Sequence, residues 1–154
     1  MALKVTKADV WAAEILDEPG GLAKVLSAMA DAGASLDCVL ARRQADKFRA
    51  GVVFLTPVKG KKAQAAAQLV GLQHAEDLAT LRVEGPDKPG LGAKLAWAIA
   101  DAGVNMRGLS AMTCGKNFVA YLGFDSGQDA DRAAKALKEV DRASPARKRK
   151  LARV

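Results

Sequence analysis

Histidine and cysteine are scarce in this chain: its 154 residues hold one histidine, His74, and two cysteines, Cys38 and Cys114. There is no Cys-x-x-Cys pair, so the spacings do not match those of a zinc site. The two thiols read instead as buried, reduced and small apolar side chains. No Ser-His-Asp set, phosphate-binding Walker loop or metal-ligand cluster can be assembled. Gly90-Leu91-Gly92 does not open a dinucleotide fingerprint, because position 95 is Leu rather than a third glycine. The chain is therefore expected not to be an enzyme and to need no cofactor or metal. It also lacks an apolar run approaching the ~18 residues of a membrane span. Its start, Met1-Ala2-Leu3-Lys4, has no apolar stretch of the secretory type. The expected setting is the cytoplasm, with no membrane partner.

Acidic residues are missing from one region only. Residues 142–154 contain Arg142, Arg147, Lys148, Arg149, Lys150 and Arg153 and no Asp or Glu. Of the 24 basic residues, those six lie in the tail, leaving 18 against 17 acids in the body. The net charge of +7 is thus a tail property over a near-neutral body. A nucleic acid is expected to engage the basic tail alone, not the folded surface.

What the chain does have is a repeat. Asp17-Glu18-Pro19-Gly20-Gly21-Leu22-Ala23-Lys24, running on to Asp31-Ala32-Gly33, recurs 70 residues later as Asp87-Lys88-Pro89-Gly90-Leu91-Gly92-Ala93-Lys94, running on to Asp101-Ala102-Gly103. Between 17–36 and 87–106, 10 of 20 positions are identical without a gap, which marks an internal duplication. Each copy reads as a turn feeding a helix. Pro19 and Pro89 fall where proline suits a first helical turn. The acids before them are placed to cap or face the positive helix end. Gly20 and Gly90 allow a sharp bend. Leu22, Val25, Leu26 and Met29 form one apolar stripe. Gly33 and Gly103 are expected to close the helices, and Asp31 and Asp101 to be solvated. A backbone-rich helix start of this kind suits a carboxylate.

Around each copy the same order of elements is expected. Residues 1–8 read as a loose lead-in. Strands follow at 10–16, 36–43 and 48–55, with helices at 19–32 and 61–70 and a weak fourth strand at 72–77. The second set places strands at 78–84, 104–114, bent at Gly108, and 118–124, with helices at 89–102 and 128–140. Phe118, Ala120, Leu122 and Phe124 repeat Phe48, Ala50, Val52 and Phe54 at the same offset, and these phenylalanines are expected in the core. A fourth strand of the second set would fall at 142–147, where Pro145 interrupts it. The fold class is therefore α+β, two ferredoxin-like βαββαβ units with antiparallel sheets and helices on one face. The boundaries read as 8–77, 78–145 and a basic tail at 146–154. Unpaired sheet edges point to a homodimer.

Asp-x-Pro-Gly at 17–20 and 87–90, the apolar helices, and Ala32-Gly33-Ala34-Ser35-Leu36 and Ala102-Gly103-Val104-Asn105-Met106 leading into the next strands resemble the ACT domain. The likeness spans about residues 8–141 and is that of a free-standing tandem pair. It implies a regulatory module that binds a small molecule, usually an amino acid, at an interface between ACT units. The positions it implicates are Asp17, Pro19, Gly20, Gly21 and Ser35 in the first copy. In the second they are Asp87, Lys88, Pro89, Gly90, Leu91, Asn105 and Met106. Asn105 fits the polar side chain such sites often place at the start of the second strand, and Ser35 reaches less far. Gly92 departs from the motif, where an apolar residue like Leu22 is usual, and Leu91 is expected to take over that packing. Two other readings of the same residues are a degenerate ACT pair serving assembly and a nucleic-acid adaptor using the tail.

Overall fold

The computed structural model describes residues 3–140 and residue 142. The elements run β1 (Lys4–Ala8), β2 (Trp11–Leu16), α1 (Gly21–Asp31), β3 (Cys38–Arg43), β4 (Ala50–Thr56), α2 (Lys61–Leu69), β5 (Gln73–His74), β6 (Ala79–Pro86), α3 (Leu91–Asp101), β7 (Gly108–Cys114), β8 (Asn117–Phe124) and α4 (Gly127–Val140). They form two compact units, one spanning Lys7–Thr80 and the other combining Met1–Thr6 with Leu81–Val154. Each unit has a four-stranded sheet, ordered β3-β4-β2-β5 in the former and β1-β6-β8-β7 in the latter. The α+β, ferredoxin-like fold read from the element order is the one adopted. No helix among the described residues is long and apolar enough to cross a membrane.

In the Lys7–Thr80 unit, alternation along β2 turns Trp11 and Ala13 toward the helices. Pairing with β4 sets Trp11 opposite Leu55 and Ala13 opposite Val53. Val25 and Met29 of α1 and Ala63 and Ala67 of α2 pack on these same residues, so both helices cover one face. α1 closes through a Schellman arrangement: Gly33 at φ +72°, its N–H on Ala30 O, and the Ala34 N–H on Met29 O. The weak fourth strand is real but shrinks to two residues, β5. It is held at Asp9, whose carboxylate meets the His74 ring, and that ring stands edge-on to Trp11 with centroids 6.1 Å apart.

The second unit borrows a strand. Residues 4–8 are not a loose lead-in but β1, lying beside β6 at the sheet edge where a ferredoxin-like unit needs its fourth strand. Lys4 Nζ sits 3.1 Å from a Glu84 carboxylate oxygen across that pair. Only Val5 and Ala8 are half-buried in this five-residue strand, and they do not share a period of two, so the stretch carries no strand pattern that stands out without its partner. The strand expected at 142–147 lies outside the described residues, apart from Arg142.

The phenylalanine correspondence fails for a geometric reason. The Asp17 N–H donates to Arg49 O at 2.9 Å, and the Asp87 N–H donates to Lys116 O at 2.8 Å. The first span is 32 residues and the second 29, so the β3–β4 hairpin is three residues longer than β7–β8. An odd shift turns a strand over, because side chains alternate faces. Phe118, Ala120, Leu122 and Phe124 are buried in their unit, but Val53 and Leu55 take the core face of β4. Phe54 is only half-buried and Phe48, on the hairpin turn, is 94% exposed. The cysteines also depart from expectation. Cys38 is half-buried and Cys114 exposed, because they lie on β3 and β7, the outer strands of their sheets. Partial burial, with Asp37 adding to it, pushes the Cys38 thiol above its ordinary pKa.

The borrowed strand makes stability depend on the N-terminus. Deleting residues 1–8 should lower the melting temperature and promote association through the bared β6 edge, read by calorimetry and light scattering. The pair at Lys4 adds an acid signature. The hydrogen bond from Lys4, with Arg82 assisting, holds the Glu84 carboxyl below the ordinary value of 4.5. A depressed folded pKa stabilises above the unfolded value, and that stabilisation is lost as pH falls through the folded one. The stability gap between wild type and Lys4→Ala should therefore be present near neutrality and close below about pH 4.5. Urea unfolding across that range measures it.

Candidate functional site

The two helix starts share a backbone. In each, the residue before proline accepts an N–H from the residue after glycine: Gly21 to Glu18 O at 3.0 Å, Leu91 to Lys88 O at 3.1 Å. Gly20 at φ +88°, ψ −9° and Gly90 at φ +83°, ψ 0° are left-handed and serve as the N-caps. Proline followed by such a glycine is the central pair of a type II turn. Pro19 and Pro89 thus precede the helices rather than opening their first turns. Neither helix has a side-chain cap. The acids before proline therefore do not cap the first-turn amides. Helix geometry leaves those amides without intrahelical acceptors.

The two starts then diverge. In the first, Asp17 receives Arg43 Nε at 2.6 Å, and Glu18 meets Lys24 Nζ at 3.7 Å and an Arg49 guanidinium nitrogen at 3.4 Å. Arg43 and Arg49 come from the ends of β3 and of its hairpin, and nothing in their local sequence marks them as partners of the turn. Gly21 is buried, and a Cβ there would stand 2.2 Å from Leu16 O. The backbone closes on itself at that point, and only glycine fits.

The second start is open. Leu91 occupies the position of Gly21 and is half-buried. Gly92, one residue on, is exposed, and a Cβ placed there meets nothing within 4 Å. Lys88 stands where the first copy has Glu18, and Lys94 repeats Lys24. The positive helix end is here accompanied by lysines on both sides of the turn, with Asp87 the one nearby acid of the motif. Asp87, Lys88, Pro89 and Gly90 are exposed, as are Pro19 and Gly20, whereas Asp17 is half-buried under Arg43.

Each β-strand approach segment brings its polar residue to the surface. Ser35 and Asn105 are both exposed, while Leu36 and Met106 are half-buried beside them. The residues expected to act together therefore sit in two separate sets, one per unit, each on a turn and on the segment entering the next strand. Among the described residues there is no group of three His, Cys, Asp or Glu side chains able to hold a metal ion.

No family model matches the sequence, and no curated protein matches it. Solved structures do. The regulatory subunit of aspartate kinase from Thermus thermophilus is 19% identical with a TM-score of 0.63, and the match covers 91% of this chain and 97% of that one. A protein from Bacteroides thetaiotaomicron is 17% identical with a TM-score of 0.72, over 89% and 90% of the two chains. Aspartate kinase from Clostridium acetobutylicum, described as an allosteric enzyme, is 16% identical with a TM-score of 0.57; the match spans 90% of this chain and 33% of the kinase. The chain thus has the fold of paired ACT domains, as regulatory subunits of this kind do.

The glycines distinguish the two starts experimentally. Gly21→Ala forces a methyl into the Leu16 carbonyl and should cost about 1–3 kcal/mol, the range for overpacking. Gly92→Ala enters open space on a helix and should be neutral or stabilising by about 0.5–1 kcal/mol. Urea unfolding of the two variants measures the difference.

Proposed function

We propose that this chain is a non-catalytic regulatory module that binds an amino acid at the second helix start and works as a homodimer in the cytoplasm. The observation that carries the reading is the open first turn at Gly92, with Lys88 in place of an acid. Unpaired amides, a helix dipole and flanking cations together suit a carboxylate. The first start offers the same turn, but its backbone is closed at Gly21 and its charges are consumed in ion pairs. The ligand carboxylate would meet the helix start at Pro89-Gly90-Leu91 through the amides of Gly90 and Gly92, that of Leu91 being held by Lys88 O. Asn105, which can donate and accept at once, would bond the ligand's amine or carboxylate. Likeness to regulatory subunits of aspartate kinase agrees with this role.

A thermal-shift screen of the twenty amino acids tests it. A ligand at 100 times its dissociation constant should stabilise by about 2.7 kcal/mol. Asn105→Ala should weaken binding by about 1.5–3 kcal/mol, the worth of a hydrogen bond to a charged group, and Ser35→Ala should change it little. Asn105 is exposed, so its truncation should leave the circular dichroism spectrum unchanged. Calorimetry on the two variants decides between the starts: a damaging Ser35→Ala moves the site to the first unit, and no amino-acid shift at all removes the reading.

A further inference from the structure

The Lys7–Thr80 unit is balanced, with nine of the 24 basic residues and nine of the 17 acids, so the whole +7 belongs to the second unit and its tail. Three exposed lysines of that unit gather at one place. Lys88 is in the Pro-Gly turn and Lys94 in the first turn of α3. Lys116 is at the tip of the β7–β8 hairpin, where its carbonyl takes the Asp87 N–H at 2.8 Å. Lys94 has Lys88 where its counterpart Lys24 has Glu18, whose carboxylate lies 3.7 Å from Lys24 Nζ. One helical turn beyond Lys94 stands Trp97, 52% exposed. Its neighbours on the helix surface, three and four residues away, are Lys94 and Ala93 on one side and Ala100 and Asp101 on the other. Both alanines are exposed, so the ring is flanked by short side chains. The first copy has Ser27 at this position.

We infer that the outer face of α3 binds single-stranded nucleic acid, with a base stacked on Trp97 and phosphates taken by Lys88, Lys94 and Lys116. Sites of this class join a cationic track to an aromatic platform. Charge and shape together select the occupant. An apolar protein surface would use Trp97 and leave three lysines idle. A free phosphate would use the lysines and leave Trp97 idle. A single strand uses both, whereas a duplex keeps its base faces stacked inside and offers none to the ring. The helix also sets a polarity. The lysines lie toward the start of α3 and Asp101 toward its end, so the phosphates run toward the start. From Gly90 to Trp97 the helix rises about 10 Å, the length of about three nucleotides at ~3.4 Å each. Residues 142–154 contain no aromatic side chain, so the tail adds charge and is one part of the surface rather than all of it. This goes beyond the amino-acid reading and needs neither Asn105 nor the amides of the helix start.

The test titrates the full chain with a thymidine oligomer about 12 nucleotides long, followed by fluorescence anisotropy of a labelled strand and by tryptophan emission with an unlabelled one. Binding should saturate and quench the emission, because Trp97 is exposed and the other tryptophan, Trp11, is buried. Trp97→Ala should weaken binding by about tenfold and abolish the quenching, and Trp97→Phe should restore most of the affinity. Lys94→Ala should lower the slope of log affinity against log salt by about 0.7, the share of one phosphate on a single strand. Lys24→Ala, at the matching position of the first unit, should leave the slope unchanged. The same sequence in duplex form should bind more weakly. Circular dichroism confirms the folding of each variant, and if Trp97→Ala does not fold, wild-type quenching and the slope of Lys94→Ala decide. Binding that neither quenches the emission nor responds to Trp97→Ala or Lys94→Ala puts the strand on the tail alone and overturns the assignment to α3. A duplex bound as tightly as the single strand does the same. No binding at all overturns the inference and leaves the amino-acid reading, which the thermal-shift screen tests separately, untouched.

Discussion

One hydrogen bond recurs in both units and sets much else. The peptide N–H that precedes the Pro-Gly turn is given to the carbonyl at the tip of the facing hairpin, Arg49 in one case and Lys116 in the other. It joins the end of one strand to the start of its antiparallel neighbour. The type II turn that follows leads into the helix, and its closing hydrogen bond takes the first helical amide, Gly21 in one copy and Leu91 in the other. Strand register, helix placement and the proposed binding feature all hang on that junction. Because the acceptor is a backbone carbonyl, the side chains around it were free to diverge.

They diverged in opposite directions. The first junction closed: Gly21 sits against the Leu16 carbonyl, and Asp17 and Glu18 are held by Arg43, Arg49 and Lys24. Exposed ion pairs of this sort contribute little stability each, about 0–1 kcal/mol, but they occupy the charges near the turn. The second junction opened by exchanging Leu22 for Gly92 and Glu18 for Lys88. A similar split runs along the edges, where β3 kept arginines and β7 none. One unit of the pair holds the acids of its turn in ion pairs, and the other presents both a positive helix start and a strand edge without charge.

The exposed Phe48 shows how sensitive such a duplication is to small insertions. Three extra residues in one hairpin left the sequence repeat looking intact at an offset of 70, while the spatial repeat of that strand runs at 67. The difference is odd, so the residues that look equivalent point to opposite faces. Apolar alternation on both faces of β4 concealed the slip, since Val53 and Leu55 fill the core as well as Val52 and Phe54 would have.

The sequence by itself determined the duplication, the element order, the Pro-Gly turns and the glycine-closed helices. All of these are local, written in spacing and in residues with distinctive backbone preferences. It also carried the paired ACT-like fold, because two copies of one short motif in register leave few alternatives. Only the tertiary structure decided the rest. That β1 completes the second sheet, that Arg43 and Arg49 neutralise the first turn, that Gly21 is closed and Gly92 open, and that β7 lies bare all depend on contacts between residues distant along the chain. Pairing partners across a sheet follow from register and hairpin length, and neither is stated by any single stretch of sequence.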